Sequence, residues 1–91
     1  MLKAFNAIVQ GRVQGVGFRY FTKRQADELK ISGCVRNLPD GTVEIMAKGP
    51  PEALEQFMQR LKAGPIGSRV DQVQTQWLES AGDLKGFQIT G

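Results

Sequence analysis

The chain contains no histidine. That removes the side chain most often used as a general acid–base and the commonest metal ligand. It excludes a Ser-His-Asp or Cys-His nucleophile device. With a single cysteine, Cys34, the chain can build neither an internal disulfide nor a zinc site of the usual kind. Met1 to Asn6 lacks the apolar run of a leader peptide, and no stretch is long enough to span a membrane. The expectation is a cytoplasmic protein. Any chemistry has to run on positioning, hydrogen bonds and fixed positive charge.

The 91 residues are expected to form one domain over 1–91. A chain of this size buries roughly 60–65% of its unfolded surface, enough for one core. Net charge is +3, unevenly spread. Residues 1–38 carry seven basic side chains against Asp27 and Glu28, whereas residues 39–91 carry five basic against seven acidic. An anion would be drawn to the first half, although so small a bias is equally compatible with an inert solvated surface.

That half holds the most informative stretch, Gly11-Arg12-Val13-Gln14-Gly15-Val16-Gly17-Phe18-Arg19. Glycines tolerate positive φ, so successive N–H groups can turn toward one point and form an anion site beside a helix N-terminus. Arg19 at the exit adds a fork that fits two phosphate oxygens. The pattern points to a phosphate-holding loop. Spacing alone leaves a plain strand-to-helix turn open.

Residues 4–12 read as a strand buried on both faces. Residues 19–30 read as a helix with an apolar side of Phe21, Thr22, Ala26 and Leu29 interrupted by Gln25, ending at Ser32-Gly33. Cys34 to Leu38 is a short strand, and Leu38-Pro39-Asp40-Gly41-Thr42 a hairpin turn. Thr42 to Lys48 alternates with period two. Gly49-Pro50-Pro51 opens a second helix whose Ala53, Leu54, Phe57, Met58 and Leu61 form one core face. Val73, Thr75 and Trp77 alternate with three glutamines as a half-exposed strand, with Trp77 expected on the core. Gly86 to Ile89 is a last short strand or edge contact. The order βαββαβ predicts an α+β, ferredoxin-like sandwich, an antiparallel sheet with two helices packed on one face.

The chain resembles the acylphosphatase family. The residues that carry the likeness are the nine-residue loop, then Gly33, Val35, Arg36 and Asn37, then Asp40, Gly41, Val43 and Glu44, and Gly49-Pro50, in family order and spacing. The resemblance implies metal-independent hydrolysis of the carboxyl–phosphate bond of acyl phosphates, with no cofactor. It implies that Arg19 and the amides of Gln14, Gly15, Val16, Gly17 and Phe18 bind the phosphate, and that Asn37 holds the attacking water. It further implies a small-molecule acyl phosphate substrate, inorganic phosphate as product and competitive inhibitor, no nucleic acid or membrane partner, and a monomer. Two departures stand out: Cys34 stands where many members carry tryptophan, and Ile89-Thr90-Gly91 replaces an aromatic or basic finish. Both bear on packing more than on chemistry.

The residue inventory agrees. A phosphoryl transition state spreads charge over equatorial oxygens and needs fixed donors. A carboxylate leaving group, with a conjugate-acid pKa near about 4, departs without a general acid. Asn37 offers a carbonyl acceptor without adding charge beside an anion. An asparagine approaching a turn is the ordinary alternative. Arg12 and Arg36 read as structural or surface, and Phe18 and Phe21 as core. Two rivals remain. Gln14 to Phe21 echoes an aromatic RNA-binding motif, although it has valine where a stacking ring belongs and lies after the first strand rather than on the third. A catalytically silent anion-binding domain would share every feature of the loop.

Overall fold

A computed structural model describes residues 1–79, 82 and 84–91. The elements run β1 (Lys3–Arg12), α1 (Phe18–Glu28), β2 (Ser32–Asn37), β3 (Val43–Gly49), α2 (Pro51–Ala63), β4 (Arg69–Leu78) and β5 (Phe87–Ile89). The sheet order is β4-β1-β3-β2-β5. The first four strands form the expected antiparallel ladder, and β5 extends it in parallel along β2. The sheet is therefore mixed, because the chain after β4 has to cross over before it can reach the free edge of β2.

Period-two alternation decides which face is covered. Phe5, Ala7 and Val9 of β1, Val35 of β2, and Val43, Ile45 and Ala47 of β3 are fully buried. They meet Phe18 and Ala26 of α1 and Leu54, Phe57 and Leu61 of α2 in one cluster. The intervening Asn6, Ile8, Gln10, Cys34, Glu44 and Met46 are only half-buried. Strand β1 is thus covered on one face, not both: its polar Asn6 and Gln10 fall on the side away from the helices.

Helix α1 ends earlier than the periodicity suggests. Lys30 adopts a left-handed conformation with φ 57°. Ile31 N–H reaches Ala26 O at 2.8 Å and Lys30 N–H reaches Asp27 O at 3.2 Å, which closes the last turn as a Schellman cap. Ser32 and Gly33 belong to β2. Gln25, the break in the apolar side, accepts a hydrogen bond from Arg60 Nη1 of α2 at 2.8 Å and ties the two helices. Thr22, fully buried, donates its hydroxyl to Phe18 O at 2.8 Å.

Strand β4 lies at the sheet edge and is mostly exposed. Trp77 packs on the core through one side only and is 56% exposed. Its ring meets Phe5 edge-on at 5.5 Å, while its other side opens into a groove of about 400 Å³ with Leu54 and Met58 of α2. Among the described residues no helix is long and apolar enough to cross a membrane.

Two tethers fix β5. Gly33 N–H donates to Gly86 O at 2.9 Å, and Thr90 N–H to Val35 O at 2.9 Å. Lys23 of α1 reaches Phe87 O at 3.0 Å. This course carries Gly91 to the end of β2, where Asn37 stands.

Candidate active site

Strand β1 delivers the chain into a turn over residues 13–17 that opens directly into α1. Val13 is buried and Val16 packs against the core, so the turn is anchored by apolar contacts at two points. Between and after them, Gly15 and Gly17 take φ of 76° and 78°. Both face open space, and both need a conformation that costs a residue with a Cβ about 1–2 kcal/mol. Left-handed glycines alternating with ordinary residues turn neighbouring N–H groups to the same side.

Gly17 is the N-cap of α1, with no side-chain cap and no acidic residue in the first turn. Residues 14–17 form a turn, and among the described residues the N–H groups of Gln14, Gly15, Val16, Gly17, Phe18 and Arg19 make no well-formed hydrogen bond within the protein; those of Phe18 and Arg19 lie in the first turn of α1, which has no intrahelical acceptor for them. The result is a run of free donors at the positive end of a helix dipole, with a cation beside them.

Arg19 is half-buried in the first turn of α1. Its Nη1 donates to the main-chain oxygen of Gly91. Asn37, last residue of β2, donates its backbone N–H to the same oxygen at 3.3 Å. The Arg19 guanidinium and the Asn37 backbone therefore converge on one main-chain oxygen, brought there by the parallel course of β5. The Asn37 side-chain oxygen Oδ1 is buried and, among the described residues, has no hydrogen-bond partner. A buried acceptor left open in this way is rare and costly, and functional sites are where such groups occur.

The turn after Asn37 is tightly bonded. Leu38 N–H donates to Thr42 O at 2.9 Å, and Gly41 N–H to Leu38 O at 3.2 Å. Asp40 Oδ1 accepts both the Thr42 N–H at 3.0 Å and the Thr42 hydroxyl at 2.6 Å. The Thr42 side-chain bond, then its backbone bond, hold the Asp40 carboxyl below its ordinary value of 3.8. Gln14 reaches across from the glycine turn, its Nε2 donating to Leu38 O and to Thr42 O at 2.8 Å each.

Some of these features escape a reading of residue types. The Gln14 carboxamide faces the β2–β3 turn; only its backbone N–H belongs to the run of free donors. Gly91 carries no chemical signal, and its place beside Arg19 follows from a strand pairing distant in sequence. The remaining candidates behave as ordinary structure. Arg36 pairs with Glu44 at 2.7 Å, and Arg12 is exposed. Phe18 is buried, with Phe21 tilted against it at 6.0 Å. Phe18 cannot stack on a base, and the segment is turn and helix rather than strand, which removes the basis of the RNA-motif echo. Cys34 lines a shallow groove on the open sheet face with Asn6, Arg36, Glu44 and Met46.

Comparison with known proteins supplies what geometry alone cannot. The family model described as Acylphosphatase matches residues 5–89. The acylphosphatase of Thermus thermophilus is 57% identical over 83 residues, which is 91% of this chain and 93% of that one. The crystal structure of acylphosphatase from Bacillus subtilis superposes with a TM-score of 0.95 at 43% identity, covering all of both chains. An acylphosphatase structure from Coxiella burnetii gives 0.93 at 30% identity over 98% of this chain and 93% of that one. Sequence, fold and the extent of the match agree: the chain belongs to the acylphosphatase family of enzymes.

Proposed function

We propose that this acylphosphatase hydrolyses its substrate by direct attack of water on phosphorus, with Arg19 and the amides of Gln14 to Phe18 gripping the phosphate and Asn37 holding the water. The reading rests on one observation above the others. A row of N–H groups without protein partners and Arg19 stand where β1 enters α1, and Arg19 and the backbone of Asn37, whose buried Oδ1 has no partner among the described residues, converge on Gly91 O at the end of β2.

The chemistry then needs little more. The loop amides and the guanidinium hold three phosphate oxygens and neutralise charge as the transition state forms. A water donates a hydrogen bond to Asn37 Oδ1, which aims its lone pair at phosphorus. The new P–O bond forms as the bond to the acyl oxygen breaks. The electron pair leaves on the carboxylate, which is stable unprotonated at neutral pH, and the water proton passes to solvent. No step calls on a metal ion or a general acid. An asparagine suits the water better than a carboxylate would, since it places no negative charge beside the phosphate.

The test is hydrolysis of benzoyl phosphate with EDTA present. Undiminished turnover, inhibited competitively by inorganic phosphate, is the expected result. Folded protein that binds phosphate but releases no benzoate above background would instead identify a silent anion-binding domain. Turnover that EDTA abolishes would overturn the metal-free reading.

A further inference from the structure

We infer that Gln14 is a positioning residue of the hydrolytic reaction, acting through its side chain to set where Asn37 stands. The inference rests on the reading of Asn37 as the residue that holds water, and goes beyond it.

The geometry is specific. Both hydrogens of one NH₂ group are used, one on Leu38 O and one on Thr42 O, each at 2.8 Å. Two carbonyl acceptors require the nitrogen of the carboxamide, so its orientation follows from the network. Leu38 directly follows Asn37, and Thr42 directly precedes Val43, the residue paired with Asn37 across the β2–β3 ladder. The two acceptors thus flank the last rung of that ladder on both strands. They also crowd two carbonyl dipoles together, an arrangement that a shared donor stabilises.

Asn37 needs such a brace. Its Oδ1 has no hydrogen bond to fix it, so its position is inherited from the backbone. That backbone is held on one side by the long 3.3 Å bond to Gly91 O. On the other side it is held by the turn that Gln14 clamps. Because Gln14 is also the first residue of the donor row, its side chain connects the phosphate-gripping loop to the water-holding strand. Misplacement by a fraction of an ångström is costly in a reaction that depends on in-line alignment.

Two variants test this against a merely structural role. Gln14→Leu keeps bulk and loses the donors. Gln14→Glu keeps the shape but, as a carboxylate, confronts the two carbonyls with negative charge and regains a single donor only when protonated. With wild-type turnover on benzoyl phosphate established, Gln14→Leu should lower kcat on the order of 10–100-fold. The inhibition constant for inorganic phosphate should change by less than about threefold. The ratio of Gln14→Glu to wild-type kcat should rise as pH falls from 7.5 to 5. An unchanged kcat in Gln14→Leu, a loss of phosphate inhibition that tracks the loss of kcat, or a pH-independent ratio in Gln14→Glu would each overturn the inference. If Gln14→Leu does not fold, the pH ratio decides alone. Absence of wild-type turnover would instead sink the hydrolytic reading itself.

Discussion

Arg19 and Asn37, on different elements, share one acceptor: the main-chain oxygen of Gly91 takes a hydrogen bond from the Arg19 guanidinium and another from the Asn37 backbone N–H. The first contact joins residues 72 positions apart. It follows from the parallel pairing of β5 with β2, which runs the chain past the end of the strand that carries Asn37. In the proposed reading, an anion that enters the glycine loop meets a guanidinium already tethered by the fold.

Arg19→Lys should leave the fold intact and the chemistry lost. The residue is half-buried, and among the described residues the one hydrogen bond of its side chain is exposed, so stability should change by less than about 1 kcal/mol. An ammonium cannot reproduce a two-pronged grip on phosphate. Turnover on benzoyl phosphate should fall on the order of 10²–10³-fold, with inhibition by inorganic phosphate weakened alongside. Near-normal kcat/KM in this variant would remove Arg19 from the site.

Asn37→Ala separates binding from chemistry. Turnover should collapse while the inhibition constant for phosphate stays within about threefold of wild type. Stability should hold or rise, because the substitution deletes a buried carbonyl that has no partner, a group whose burial costs about 1–3 kcal/mol. Steady-state kinetics and a thermal melt check both halves. Loss of phosphate inhibition would make Asn37 a ligand-binding residue instead.

Lys30→Gly tests the local account of how α1 ends. Lys30 occupies the left-handed position of a Schellman cap. The conformation costs a lysine about 1–2 kcal/mol, and glycine returns part of that as unfolded-chain entropy. The variant should gain roughly 0.5–1 kcal/mol, a few degrees in Tm for a domain of this size. A loss of stability would mean that the lysine side chain contributes more than its backbone costs.

Asp40→Asn tests the turn below Asn37 by its pH dependence. Bonds from Thr42 lower the Asp40 pKa in the folded state. A carboxylate with a depressed folded value stabilises the protein above its unfolded value of 3.8, and that contribution disappears as pH falls through the folded value. Wild type should therefore exceed Asp40→Asn in stability at neutral pH, with the gap closing below about pH 4. A gap that is constant from neutral to acid pH would show that the charge on Asp40 is irrelevant.

What could be read from residue order was whatever is local. The glycine spacing before Arg19, the apolar face of α2 and the Pro39-Asp40-Gly41 turn each encode their structure within a few residues. The alternation of β3 did the same, and together these specify the α+β sandwich. Three features depend on partners far away in the chain, and a fourth, local one leaves no mark in residue type. Trp77 reads as a core residue because tryptophan usually is one, but on the edge strand β4 only one side of its ring is covered, by Phe5, and the other opens into a groove beside α2. Lys30 reads as helical because nothing about lysine signals a left-handed cap. The parallel docking of β5 had no marker in its three residues. Gln14 drew notice for its backbone, while its side chain reaches a turn 24 and 28 residues away.

The account stands or falls on whether the free N–H groups of the glycine turn are the ones that meet phosphate. An amide ¹⁵N–¹H titration of the wild-type protein with inorganic phosphate measures this directly. Saturable shifts concentrated at Gln14 to Phe18, centred on the two left-handed glycines and abolished in Arg19→Lys, are the predicted result. Those resonances standing still while phosphate inhibits turnover would contradict it and place the anion elsewhere on the molecule.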